Sequence, residues 1–305
     1  MAEPRRRLWP FVVLAVVVIV GAAVGGEILH LHNQPSPKAG PLTVAIGDNV
    51  TVQYIGVLGS GPQQGYVFDT SILSVANDNL TWPKALEFSY RGNASAYAPL
   101  GVHVGPNTPS GGYVIGNTTF GGVVTGFWKG LVGLAGNQTK WISIPPALGY
   151  GPDNPACLVT APLVVSVPVL TAIPVANFTA TYPEIPKLAG TTFTDPTYGW
   201  TDQVFSVNAT TVTVQSMPSV GFTSSFIGWP ITVTSITGGN ISVTNDITGA
   251  NVGRILGNST TTVCGQTHYI ISAVNPANGT YTENFNTQVT GVTLLFQITV
   301  VDIYA

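Results

Sequence analysis

Charge is what this chain has least of. Only 8% of its 305 residues are Asp, Glu, Lys or Arg, ten basic against thirteen acidic, for a net charge of −3. So sparse a cationic complement excludes the footprint that a phosphate backbone demands, and nucleic acid is not an expected partner. Disorder is excluded as well, because disordered chains combine low hydrophobicity with high net charge, and here 45% of the residues are hydrophobic. With 35 Gly and 23 Pro, long coiled-coil heptads have no room. Cysteine is almost absent: Cys157 and Cys264 are the whole complement, and the four histidines (His30, His32, His103, His268) are scattered. No CxxC or Cys/His spacing suggests a metal, and no cofactor is expected. The two cysteines fit either one disulfide in an oxidising compartment or two buried thiols.

What remains is rich in Val, Thr, Asn, Gly and Pro, the composition of a β-rich, turn-rich globular protein. Its length suits one large domain or two ordinary ones. One apolar run stands apart. Arg5, Arg6 and Arg7 precede nineteen uncharged residues, 8–26, which Glu27 closes. As a helix rising 1.5 Å per residue that run crosses a hydrocarbon core of roughly 30 Å. The three arginines would hold its N-terminal side in the cytoplasm. The expectation is a cytoplasmic stub over 1–7, a transmembrane anchor over 8–28, a linker over 29–41 and the rest of the chain outside. A cleaved signal peptide is the alternative.

Export has a second support. Asn-x-Ser/Thr triplets begin at Asn49, Asn79, Asn93, Asn117, Asn137, Asn177, Asn208, Asn240, Asn258 and Asn278. Composition alone would give about three of these acceptor sites. With so few carboxylates to protonate, the folded surface should change little in acid, which suits an acidic setting.

Along the chain, residues 43–58 alternate around Gly47-Asp48-Asn49 and read as two strands and a turn. Val67-Phe68 opens a short segment that Asp69-Thr70-Ser71 ends. Residues 73–122 are Gly-, Pro- and Asn-rich and read as elaborated loops. Phe127, Leu131 and Leu134 fall at helical spacing, with Gly136 as a stop signal. Trp141, Ile142 and Ile144 form a strand halted by Pro145-Pro146. Everything from Leu158 to the end reads as all β.

Four blocks then bring a family into view. Tyr54-x-Gly56-x-Leu58, Phe68-Asp69-Thr70-Ser71, Gly126-Phe127-x-x-Gly130-Leu131-x-Gly133-Leu134-x-Gly136 and Ile144-Pro145-Pro146-x-x-Gly149-Tyr150-Gly151 occur in one order. Together they resemble the FKBP-type peptidyl-prolyl cis–trans isomerases over residues 44–153. A tail block from Phe285-Asn286 through Gly291 and Phe296 to Ile303 looks like the family's closing strands. The resemblance implies an α+β, β-dominated fold, an antiparallel half-barrel sheet wrapped on one short helix. Residues 42–154 plus 275–305 would form it. Residues 155–274 would be a large all-β domain inserted after the Gly149-Tyr150-Gly151 corner, similar to the chaperone domain of SlyD-type and long archaeal relatives. A Cys157–Cys264 disulfide would clamp the base of that insertion.

The resemblance also implies a site. Tyr54, Phe68, Phe127, Tyr150 and Phe296 would line a pocket for a prolyl ring, with Phe127 as its floor. Asp69 would lie near the rotating carbonyl or hold Tyr54. Val123 and Val124 would form a wall, and the Val124 N–H would donate to the substrate carbonyl. A further loop aromatic is open between Tyr113, Phe120 and Phe88. Gly221-x-Thr-x-x-Phe226 repeats the spacing of Gly291-x-Thr-x-x-Phe296, so Phe226 competes with Phe296 to complete the pocket. The implied function is prolyl isomerisation during extracytoplasmic folding, with chaperone activity from the insertion. Its partners are unfolded or proline-containing polypeptides, and the membrane through the N-terminal helix. An inactive holdase of the same fold and a structural cell-surface glycoprotein are the alternatives.

Overall fold

The computed structural model describes residues 42–225 and 228–304. The stretches expected as stub, transmembrane anchor and linker, and Phe226, lie outside the described residues. Among the described residues no helix is long and apolar enough to cross a membrane. The chain divides into two units, one running from Asn154 to Asn286 and the other made of the residues flanking it, up to Asp153 and from Thr287.

In chain order the first unit supplies β1 (Asn49–Leu58), β2 (Val67–Thr70), α1 (Leu73–Asn77), β3 (Leu100–His103), β4 (Tyr113–Ile115), β5 (Thr118–Phe120), α2 (Thr125–Leu131) and β6 (Thr139–Ile144). The second holds β7 (Leu158–Pro162), β8 (Val164–Pro168), β9 (Leu170–Pro174), α3 (Val175–Thr181), β10 (Thr192–Thr194), β11 (Thr201–Val207) and β12 (Thr211–Ser216). It continues through β13 (Thr223–Ser224), β14 (Ile231–Thr237), β15 (Asn240–Asn245), β16 (Leu256–Val263), β17 (Gln266–Asn275) and β18 (Thr280–Asn284). The first unit then closes with β19 (Leu294–Tyr304).

The first unit is an antiparallel half-barrel sheet in the order β2-β1-β19-β6, with β3 pairing the first half of β1. Along β19 the residues Leu294, Phe296, Ile298 and Val300 are buried and their neighbours less so, the period-2 pattern of a sheet with one face on the core. That face closes over α2, whose Phe127, Trp128 and Leu131 are buried. The helix lies unusually close to the sheet. A Cβ on Gly126 would stand 2.3 Å from Ile144 Cγ2, and one on Gly130 2.6 Å from Ile142 Cδ1. The two motif glycines are therefore what lets helix and strand touch. On the opposite side of β1, Ile55 and Val57 form a second small core with Val67, Val75, Ala76 and Phe88.

Three expectations need correction in this unit. Residues 43–46 make no strand; Thr43 forms only an isolated bridge to Ala135. The stretch 73–122 is not all loop, since it contributes β3 to the main sheet and the β4–β5 hairpin. Residues 275–286 belong to the other unit, because β17 pairs with β18 and β18 with β7.

The second unit is built three times over. Its strands form three four-stranded sheets, β10-β11-β12-β9, β13-β14-β15-β8 and β16-β17-β18-β7. The edge strands come first, from three consecutive hexads, Leu-Val-Thr-Ala-Pro-Leu, Val-Val-Ser-Val-Pro-Val and Leu-Thr-Ala-Ile-Pro-Val, over 158–175. Each pairs with a later three-stranded meander, in reverse order. Registers match: Pro162, Pro168 and Pro174 lie opposite Thr280, Asn240 and Thr211.

Leu163, Val169 and Val175 donate their N–H groups into the respective hairpins, to Gly279 O at 2.7 Å, Gly239 O at 2.8 Å and Thr210 O at 3.0 Å. Neighbouring residues alternate direction, so each proline stands where its missing N–H would have pointed away from the ladder. Each meander begins at a left-handed glycine, Gly190, Gly221 or Gly253. Their N–H groups donate at 2.8 Å to Val204, Val233 and Ile271 respectively. Each central hairpin then bulges just after that acceptor residue.

The internal repeat is thus Gly190, Gly221 and Gly253, and Gly221 is not the partner of Gly291. The insertion also departs from all β in its first repeat. There α3 covers the sheet, with Phe178 packed on Phe193, Val204, Val212 and Val214. Cys157 and Cys264 are joined in a disulfide. Cys264 sits in the β16–β17 hairpin, so the bond ties that hairpin to the residue just before β7, whose carbonyl accepts from the Phe285 N–H at 2.9 Å near the other end of the same unit.

Candidate functional site

The site grows from β1. Tyr54 stands opposite Ile298 and Gly56 opposite Phe296 in the β1–β19 ladder. Four rings meet there, with Phe296 at the hub: its centroid is 4.9 Å from Phe127, 5.5 Å from Phe68 and 5.9 Å from Tyr54, each edge to face. Tyr54 also meets Phe127 edge-on at 6.0 Å. Edge-to-face contacts of this kind add about 0.5–1.5 kcal/mol each beyond area burial. Gly56 makes the meeting possible, since a Cβ there would stand 2.8 Å from Phe68 Cζ and 2.9 Å from Phe296 Cε1. All four rings are 3–4% exposed. The four rings belong to the larger core of this unit, and the half-buried Val123, Val124 and Tyr150 pack against that core, as do Tyr66, Leu100 and Val292. The Val124 carbonyl accepts from the Phe127 N–H at 2.9 Å and so starts α2. Its own N–H precedes the helix and takes no part in the helical ladder.

One rim of the cluster is polar. Asp69 is buried, and its Oδ1 accepts from the Thr70 N–H at 2.8 Å. The Tyr54 hydroxyl donates to Asp69 Oδ2. Arg91 Nη2 donates to the Tyr54 oxygen at 2.6 Å and to Asp69 Oδ1 at 2.9 Å. The hydroxyl is thus committed on both counts, proton to Asp69 and lone pair to Arg91, which makes Tyr54 a fixed wall and Asp69 the group that holds it. Burial pushes the Asp69 carboxyl up from the usual carboxylate range, and Arg91 pulls it part of the way back. Burial and the neighbouring Asp69 charge push the Tyr54 hydroxyl well up. The Tyr150 hydroxyl is raised to about 12 by burial first and by Asp69 second, which puts its phenol within the electrostatic reach of the same carboxylate.

The eight residues named from the sequence, Tyr54, Phe68, Asp69, Val123, Val124, Phe127, Tyr150 and Phe296, all belong to the first unit; the four rings and Asp69 make one connected group, and Val123, Val124 and Tyr150 pack against the core that holds it. The loop aromatics do not join them. Phe88 packs on Tyr90, Phe120 on Tyr304 and Tyr113 on His103, and none makes a ring contact with the four. The aromatic at the polar rim is Tyr97, which carries the Arg91 guanidinium over its ring at 5.7 Å and accepts from the Arg91 N–H at 3.2 Å.

Arg91 and Tyr97 were not named from the sequence. A signal existed for the first: a buried carboxylate requires a partner, and only six Lys or Arg occur among the described residues. Its Nε is buried without a hydrogen-bond partner. Among the described residues no three His, Cys, Asp or Glu side chains converge as a metal ion would require. Searches with the whole sequence find no match, neither to a model of a known protein family nor to a curated protein.

Proposed function

We propose that the chain is a peptidyl-prolyl cis–trans isomerase of FKBP type, held at the outer face of a membrane, whose triplicated second unit receives unfolded polypeptide. The observation that supports this reading is the four-ring cluster around Phe296, set in a core against which Tyr150, Val123 and Val124 pack, with the Tyr54–Asp69–Arg91 network at one rim.

Rotation about an X–Pro bond meets a barrier of about 18–20 kcal/mol although its two isomers differ by only about 1 kcal/mol, and no bond has to be broken. The barrier is amide resonance. An apolar surface that excludes water favours the twisted amide, whose carbonyl and nitrogen are no longer conjugated, over the planar one. In this reading Phe127 is the floor, Tyr54, Phe68, Tyr150 and Phe296 grip the prolyl ring, and the Val124 N–H donates to the substrate carbonyl. Arg91 and Asp69 are positioning residues that keep the Tyr54 ring still. For the second unit, the support is a row of apolar side chains at one repeated position: Leu158, Val164 and Leu170 open the three edge strands and are 39%, 53% and 48% exposed.

Refolding of a protein limited by X–Pro isomerisation tests the reading. The chain should accelerate it, and a Tyr54→Ala/Phe68→Ala/Asp69→Ala variant that remains folded should not. No acceleration by the unaltered chain, or equal acceleration by both, overturns it. A second reading, a binding module without turnover, is favoured by the deep burial of the four rings. It predicts suppressed aggregation of an unfolded client with no effect on the proline-limited phase.

A further inference from the structure

In each sheet of the second unit the hairpin leading into the strand beside the edge carries an acceptor triplet of the Asn-x-Ser/Thr kind. Asn208-Ala-Thr210 joins β11 to β12, Asn240-Ile-Ser242 follows β14 into β15, and Asn278-Gly-Thr280 joins β17 to β18. All three asparagines are exposed. The three hairpins differ in length and in neighbouring residues, yet each has kept both the amide and the hydroxyl. At Asn208 the side-chain Oδ1 accepts from the Thr210 N–H at 2.9 Å, the Thr210 hydroxyl at 3.1 Å and the Thr211 N–H at 2.8 Å. Its Nδ2 takes no part in that turn. Asn240 Nδ2 makes only a long bond, 3.4 Å, to Gly238 O. Asn49 differs. It is half-buried, paired with both His103 and Tyr304 in the main sheet, with its Oδ1 3.0 Å from His103 Nδ1.

We propose that Asn208, Asn240 and Asn278 are N-glycosylated and that Asn49 is not. The inference rests on the reading that this unit lies outside the cytoplasm. The donor is an oligosaccharide carried on a polyprenyl phosphate or pyrophosphate. The Asn Nδ2 forms a bond to the anomeric carbon as that carbon's bond to the phosphate oxygen breaks. The lipid phosphate leaves with the electron pair, and the amide proton passes to a base of the transferase. A glycan on Asn49 would have to be accommodated beside His103, whose Nδ1 lies 3.0 Å from the same side-chain amide.

The placement divides each sheet in two. The sugar stands at the hairpin end, next to Pro162, Pro168 or Pro174, while Leu158, Val164 and Leu170 begin the same edge strands four residues away, roughly 13 Å along a strand. Glycans there screen the hairpins and leave the apolar ends open.

The test passes the full chain through a eukaryotic secretory pathway, which supplies a dolichyl-pyrophosphate oligosaccharide. The folded product is then mapped by peptide mass spectrometry after an amidase-type glycosidase in heavy-oxygen water. Asn208, Asn240 and Asn278 should be recovered as labelled Asp and Asn49 as unlabelled Asn. Thr210→Ala, Ser242→Ala and Thr280→Ala should each remove one glycan from the intact mass. Recovery of any of the three hairpin asparagines unmodified, or a glycan on Asn49 of the folded protein, overturns the proposal. The map does not depend on prolyl turnover, so either result leaves the isomerase reading to its own assay.

Discussion

Gly56 faces Phe296 across the β1–β19 ladder so closely that a single added methyl would stand 2.9 Å from the Phe296 ring and 2.8 Å from that of Phe68. Gly56→Ala is therefore an overpacking substitution at the ring hub. It should destabilise the first unit by about 1–3 kcal/mol. If the rings form the reactive surface, it should also lower turnover more than the loss of folded protein explains. Chemical denaturation alongside activity per folded molecule checks both.

Arg91 meets a buried carboxylate, and removing it leaves that charge uncompensated. Breaking a fully buried pair costs about 3–5 kcal/mol; the Arg91 side chain is 24% exposed, so Arg91→Met should cost less, about 1–3 kcal/mol. Asp69→Asn in the same chain should recover part of that loss, because the charge is then gone as well. A double-mutant cycle by urea denaturation would show the coupling; strictly additive losses would mean that the two groups do not support each other.

Asp202 is another buried carboxylate, and Trp200 Nε1 donates to its Oδ1 at 3.0 Å. Burial above all, with the Asp195 charge adding, raises its pKa to about 6. The folded state therefore holds a proton between about pH 4 and 6 that the unfolded chain has released. By linkage, the stability contributed by this group is full below the unfolded value and is lost as pH rises through about 6, a change on the order of 2 kcal/mol. Asp69 is shifted in the same direction. The second unit should thus be more stable at pH 4 than at pH 7, and Asp202→Asn should flatten the difference. A tryptophan fluorescence titration should show a step near pH 6 that the variant lacks.

The disulfide closes a loop with a sequence separation of 107. Reduction, or Cys157→Ser with Cys264→Ser, should lower the stability of the second unit by about 2–5 kcal/mol. Denaturation with and without reductant checks this, and the Tyr54–Asp69–Arg91 unit should unfold at an unchanged midpoint.

Much of the site was readable because glycine and aromatic positions are dictated by close approach. Gly56, Gly126 and Gly130 each stand where any Cβ would clash: Phe68 and Phe296 fill what Gly56 leaves, and Ile144 and Ile142 fill what Gly126 and Gly130 leave. Arg91 escaped because its pairing with Asp69 is decided by the path of residues 73–97, which no local period records. The boundary after 274 was misplaced for a different reason. Strand β17 carries Ile, Val and Thr as β19 does, and only long-range pairing assigns the two to different sheets. The threefold repeat was half legible: Val207-Asn208 and Val274-Asn275 do end the same strand of two repeats. The positive-φ glycine that marks each start is separated from them by segments of unequal length, and α3 exists in the first repeat alone.

The most direct measurement is magnetisation exchange between the cis and trans forms of a short X–Pro peptide, with a catalytic amount of the full chain present. Cross-peaks should appear with the unaltered protein and vanish with a folded Phe296→Ala variant. Exchange that stays at the uncatalysed rate, while the peptide still binds, would contradict the account.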